Sequence, residues 1–193
     1  WDLMGYIDDL EMVPIIYTEG TAGGNWDKGL HNPQNARRLY DLNATIVLKM
    51  NSLYNSDYQN NVVFSGSKHK TVLYDYFQKR NEVLEVLMAE GFSESTPTRL
   101  AFDTIICKEN KNEVVRLHHY ARENNIFVLF VNYLPSGRSS HPVQNAIAGD
   151  EQFELFKELS QVDEHDYGLM HKYHFPYGGG VPCTIRGLGL YVK

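Results

Sequence analysis

The sequence predicts an α/β protein with parallel strands, a part of a (β/α) barrel or of a doubly wound sheet. Three observations lead there. Residues 98–138 read as one complete strand, helix and strand unit ending in a glycine and arginine loop. Strand and helix patterns alternate through the rest of the chain, and strands begin near residues 13, 45, 100 and 126, each followed by helix or loop. Parallel strands joined through helices almost always take right-handed crossovers, so their carboxyl ends, where α/β folds bind ligands, share one edge.

Each element has its own warrant. Leu3, Ile7 and Leu10 recur at helical spacing before the chain changes to Val13-Pro14-Ile15-Ile16-Tyr17-Thr18, a short strand closed by Glu19-Gly20-Thr21. Asn32 supplies an N-cap and Pro33 a first helical residue, which predicts a helix over 33–42 with Ala36 and Leu39 inward. Thr45 to Met50 is the next strand. Asn51 to Lys68, rich in Asn, Ser and Tyr, reads as a polar loop, either active or merely solvated. From Lys70 the stripe Leu73, Phe77, Leu84 and Leu87 predicts the longest helix, with Gly91 just past its end.

In the strand that follows, Leu100, Phe102, Thr104 and Ile106 alternate with Ala101, Asp103, Ile105 and Cys107. Asn110 and Glu113 read as an N-cap and its reciprocal carboxylate, opening a helix with Val114, Leu117 and Ala121 buried. Ile126 to Val131 is nearly continuously apolar, the pattern of a parallel strand covered on both faces. A last helix opens near Asp150 with the stripe Phe153, Phe156 and Leu159. Beyond His165 the composition turns to His, Tyr, Gly and Pro, where a separate subdomain would begin.

Composition narrows the function classes. With 193 residues, 42% hydrophobic and 22% charged, the chain fits a globular protein rather than a disordered one. Its 18 Lys and Arg against 24 Asp and Glu give a net charge of −6, which argues against nucleic acid as the principal partner. No apolar run is long enough to cross a bilayer, so no membrane partner is expected and the location is read as cytoplasmic. The chain starts at Trp1 inside a helical pattern and stops at Lys193 after a strand-like GLGLYVK, which reads as an internal piece of a longer protein.

The candidate chemistry lies at strand ends. Thr18-Glu19-Gly20-Thr21, Lys49-Met50-Asn51-Ser52, Cys107-Lys108-Glu109-Asn110 and Leu134-Pro135-Ser136-Gly137-Arg138 would all line one rim. Lys49 is either a desolvated base or a point charge for an anion. Arg138 after Gly137 offers a planar donor fork for carboxylate or phosphate, or a surface salt bridge. The two cysteines, Cys107 and Cys183, lie too far apart for a metal knuckle, and the strand alternation makes Cys107 a packing residue. His165, His171 and His174, among Asp163, Glu164 and Asp166, are metal-ligating types without visible supporting residues. His118 and His119 are adjacent, so only one can face the core of a helix.

On these rim segments the chain resembles the radical S-adenosylmethionine enzymes that carry a SPASM-type auxiliary-cluster region. Thr18, Gly20 and Thr21 match a Thr-Asn-Gly-Thr-like turn, with Glu19 in place of asparagine. VLKMNS resembles the next family strand, TIICKEN followed by Glu113-Val114 the one after, and residues 121–138 give the most specific match. The resemblance implies the later strands of a six-stranded partial (β/α) barrel over residues 1–162, and a linker with the start of a SPASM-like region over 163–193. It further implies Lys49, Ser52, Asn110, Ser136, Gly137 and Arg138 as cofactor-binding residues and Cys183 as a ligand of an auxiliary iron-sulfur cluster.

The family's C-x-x-x-C-x-x-C loop, which holds a 4Fe-4S cluster, is absent from the chain, and the resemblance places it before Trp1. The intact protein would use S-adenosylmethionine to generate a 5′-deoxyadenosyl radical for hydrogen abstraction, with a peptide or protein as substrate and flavodoxin or ferredoxin as reductant. The chain alone would be inactive. Two other classes fit the residues: a cluster-free barrel enzyme with Gly137-Arg138 as an anion clamp, and a non-enzymatic binding module.

Overall fold

A computed structural model describes residues 1–22, 26–64, 75–133 and 146–169. Four strands, β1 (Ile15–Thr18), β2 (Thr45–Lys49), β3 (Leu100–Ile106) and β4 (Phe127–Asn132), form one parallel sheet in the order β1-β2-β3-β4. The helices among the described residues are α1 (Asp2–Asp9), α2 (Pro33–Asp41), α3 (Ser56–Phe64), α4 (Tyr76–Ala89), α5 (Val114–Glu123) and α6 (Gly149–Tyr167). The α/β class and parallel sheet therefore stand as the sequence predicts them.

Strand order equal to chain order has a consequence for the layers. Right-handed crossovers that always step to the next position put every connecting helix on the same face. Ile46, Leu48, Leu100, Phe102, Ile106, Val128 and Phe130 of that face form one core with Ala36 and Leu39 of α2, Val83, Leu84 and Leu87 of α4, Leu117 and Ala121 of α5, and Phe156 and Leu159 of α6. No described helix packs into this core from the opposite face, where Ile15, Tyr17 and Phe127 are exposed although Val47 and Ala101 between them are buried. β4, expected to be covered on both faces, is exposed at its first residue, Phe127, at 40%, whereas Leu129 and Val131 on the same face are partly buried.

Local chemistry explains most helix boundaries. The Asn32 side chain accepts from the Gln34 amide at 3.0 Å and Pro33 occupies the first helical position of α2. Asp75 caps α4 through the Gln78 amide at 3.1 Å, and Gly91 follows the end of α4 at φ +88°, a conformation that favours glycine. At the amino edge of the sheet Arg99 donates to the carbonyls of Ala44 and Tyr40 and stacks over the Tyr40 ring at 4.3 Å. That edge is closed off by packing.

Four other sequence expectations change, the first being that α6, with 19 residues, and not α4, with 14, is the longest helix among the described residues. Residues 56–64, read as loop, form α3, because the Asn55 side chain accepts from the Tyr58 amide at 2.9 Å and starts a polar helix with no clear apolar stripe. Phe153 is exposed, and the buried positions of α6 are Phe156, Leu159 and Asp163, an i, i+3, i+7 set one step along the helix from the predicted stripe. Asn110 makes no side-chain cap bond to the turn at Lys111–Glu113; its side chain is committed to the sheet instead.

Candidate functional site: the carboxyl edge of the sheet

The ends of β2 and β3 are joined by a buried polar seam. Asn110, 1% exposed, donates from Nδ2 to the carbonyls of Asn51 at 2.7 Å and Ile105 at 2.8 Å, while its Oδ1 accepts from the Cys107 amide at 2.9 Å. Asn51 returns the tie by accepting the Ile105 amide on its own Oδ1 at 3.1 Å. Thr104 donates to the Met50 carbonyl at 2.7 Å. Buried backbone groups that leave a ladder must find partners, and two asparagines supply them here in place of a further strand.

Ser52 is equally engaged. Its hydroxyl donates to Glu113 Oε2 at 2.5 Å and accepts from the amides of Asn55 at 2.8 Å and Tyr54 at 3.3 Å. Gln59 Oε1 accepts from the amides of both Asn51 and Ser52, at 3.1 and 2.9 Å. The Ser52 carbonyl accepts from Arg80 Nη2 at 2.7 Å. Ser52 and Asn110 thus build the wall of the rim with side chains already spent on protein partners.

Lys49 differs from both. On the uncovered face its ammonium donates to Asp103 Oδ2 at 2.8 Å, with side chains 27% and 22% exposed. The pair sits directly across the β2–β3 register, with Leu129 next in line on β4 and the row Tyr17, Val47, Ala101 and Phe127 beside it. An ion pair set in an apolar sheet face can exchange its partners for a ligand that carries both an ammonium and a carboxylate.

The β1 end is shaped by close approach. Gly20 has φ +79°, and a Cβ there would lie 2.6 Å from Val83 Cγ1 of α4, so only glycine fits the Thr18-Glu19-Gly20-Thr21 turn. Thr18 Oγ1 accepts the Gly20 amide at 2.9 Å. Glu19 is exposed and Thr21 buried.

Cys107 is 3% exposed and 2.9 Å from the Tyr58 hydroxyl. Burial pushes its thiol above the ordinary range, and burial together with the Cys107 contact pushes the Tyr58 phenol strongly up, so both stay protonated. Among the described residues no three His, Cys, Asp or Glu side chains are placed to hold a metal ion.

The structure therefore brings Lys49, Ser52 and Asn110 to one edge, while Ser136, Gly137, Arg138 and Cys183 lie outside the described residues. His171 and His174 lie outside them as well. Sequence reasoning missed Gln59, Arg80, Asp103 and Glu113 as builders of the site, and placed Asn51 on the rim without its bridge to Ile105. Asp103 had a signal: it and Lys49 are the charged residues within otherwise largely apolar strands. No helix among the described residues is long and apolar enough to cross a membrane. Comparison with family models, curated proteins and solved structures returns no match to the chain.

Proposed function

We propose that the chain is the later-strand part of a radical S-adenosylmethionine enzyme of SPASM type, with the carboxyl edge of the sheet and its uncovered face as the cofactor and substrate side. The observation that carries this reading is the meeting of two motif segments, VLKMNS and TIICKEN, at one parallel edge, where the Asn110 side chain bonds the Asn51 carbonyl at 2.7 Å. In this reading the uncovered face is the interior of a partial barrel. The substrate is a peptide or protein side chain.

The residues fit the two halves of the cofactor system differently. A three-thiolate cluster does not fit this chain: Cys107 is buried with a thiol held protonated, and Cys183 is the other cysteine of the sequence. The cluster loop then belongs to another part of the parent protein. The nucleoside cofactor does fit, since its amino-acid end carries the ammonium and carboxylate that Asp103 and Lys49 can receive, and when bound to a cluster it supplies a carbon radical. Around it, Asn51, Ser52 and Asn110 fix the backbone of the rim, and Val47, Ala101 and Leu129 keep the floor apolar.

Anaerobic reconstitution separates this reading from the binding-module alternative. This chain is expected to take up no stoichiometric iron, whereas the longer reading frame that contains it should load a cluster and release 5′-deoxyadenosine with S-adenosylmethionine and reductant. A loaded cluster without that product would refute the catalytic proposal.

A further inference from the structure

Arg122 and Arg80 are both drawn into the protein, and their surroundings differ in kind. Arg122 reaches Asp163 with Nε and Nη2, both at 2.7 Å, so its charge is matched. Arg80, on α4, is 0% exposed and forms no ion pair with a carboxylate among the described residues. It donates to the Ser52 carbonyl at 2.7 Å, contacts Met50 Sδ and stacks near the Phe77 ring at 5.4 Å. Its Nε is buried with no hydrogen-bond partner. The 24 acidic residues of the chain all fall within the described residues, and none of their ion pairs reaches Arg80.

A second spare donor stands on the other side of the same residue. Gln59, also 0% exposed, spends Oε1 on the Asn51 and Ser52 amides, and its Nε2 is buried without a partner. Ser52 is thus gripped through its amide by Gln59 and through its carbonyl by Arg80, and each gripping side chain retains one buried nitrogen without a partner. A buried guanidinium with no anion costs free energy that a protein ordinarily avoids by pairing, and a lone spare donor could be an accident of packing. Two spare donors and an unmatched positive charge around one residue have a shared remedy. That remedy is an oxyanion. Consistent with this, burial pulls the Arg80 guanidinium down to about 10, opposed by the Tyr76 phenol and by no carboxylate.

We propose that Arg80 and Gln59 form an internal oxyanion seat behind Ser52, which receives a carboxylate or phosphate group from outside the chain. Occupancy would compensate the guanidinium, satisfy both spare donors and fix the end of β2 at the rim. The seat is enclosed, so it fills as the chain folds or during slow local opening. It stands apart from the Lys49–Asp103 pair on the opposite face of the sheet and does not depend on the proposed function.

Thermal unfolding of the purified chain, refolded in sodium chloride, sodium phosphate or sodium acetate at matched ionic strength, tests the seat. Phosphate or acetate is expected to raise the midpoint saturably over chloride, on the order of 5 °C at saturation. A rise confined to phosphate assigns a phosphate group, and one confined to acetate a carboxylate. Gln59→Glu keeps an acceptor for the Asn51 and Ser52 amides and replaces the spare donor with an internal carboxylate. It should raise the midpoint in chloride and abolish the anion response. Arg80→Met removes the unmatched charge and should fold without responding to either anion. Equal midpoints for the native chain in all three salts would overturn the seat, as would a Gln59→Glu variant destabilised in chloride or either variant responding like the native chain.

Discussion

The two faces of the sheet are built to different ends. On the helix-covered face Ile46, Leu48, Leu100 and Phe102 are each 0% exposed, and the side chains of four helices interlock with them. On the other face Ile15 and Tyr17 of the β1 edge are 62% and 63% exposed, while the centre sets an ion pair beside the buried side chains of Val47 and Ala101. The first face carries folding free energy. The second keeps apolar surface and charge accessible, which a protein retains for a ligand or partner.

Substitution on the covered face should therefore cost most. Phe102→Ala removes a ring stacked on Tyr120 at a centroid distance of 6.4 Å and should lower stability by about 3–5 kcal/mol. Ile15→Thr on the other face, 62% exposed, should change it by about 0.5 kcal/mol or less. Chemical denaturation of the two variants measures the difference directly, and equal losses would break the contrast.

The attachment of α6 to the covered face is the next largest effect. Asp163, 0% exposed, accepts from Arg122 and from His118 Nε2 at 2.7 Å, and Asp163→Asn should cost about 3 kcal/mol by leaving the guanidinium unmatched. Its pH dependence has a definite sign. Burial pulls His118 below the ordinary histidine value of 6.5 against the opposing pull of Asp163. Burial pushes the Asp163 carboxyl up, but the bonds from Arg122 and His118 outweigh it and hold the group below its ordinary 3.8. Both folded groups release protons more readily than their unfolded counterparts, so stability is present above pH 6.5 and is lost on acidification, first through His118 and then through Asp163. The fall between pH 6.5 and the acid limit should be shallower in His118→Gln, followed by thermal midpoints across the range.

The rim lies between these extremes. Asn110→Ala leaves the Asn51 carbonyl and the Cys107 amide without their partner and should cost about 2 kcal/mol, measured by denaturant unfolding. It should also loosen the end of β2 in hydrogen exchange. Lys49→Met breaks a half-exposed pair and should alter stability by less than about 1 kcal/mol.

How much of this was legible in the sequence depends on the range of the forces involved. The β3 alternation of Leu100, Phe102, Thr104 and Ile106 is visible because side-chain direction in a strand repeats every two residues, and the structure buries all four. Residues 56–64 escaped notice because their sequence carries no regular apolar stripe, although Asn55 three residues before Tyr58 was a readable cap. Asn110 was readable as a special residue and misread in role: an asparagine can cap a helix or bridge backbone from two strands, and the partner 59 positions away decides. Arg80 occupies a core position of α4 as a charged residue, one turn from Tyr76 and three residues from Val83. An apolar-periodicity reading passes over it for that reason.

On the proposed function, binding of S-adenosylmethionine to the anaerobically reconstituted parent enzyme, by equilibrium dialysis, tests most directly whether the Lys49–Asp103 face is the working face. The account predicts that Lys49→Met and Asp103→Asn each weaken binding about tenfold or more while shifting the thermal midpoint by only a few degrees. Binding unchanged in both variants would contradict it.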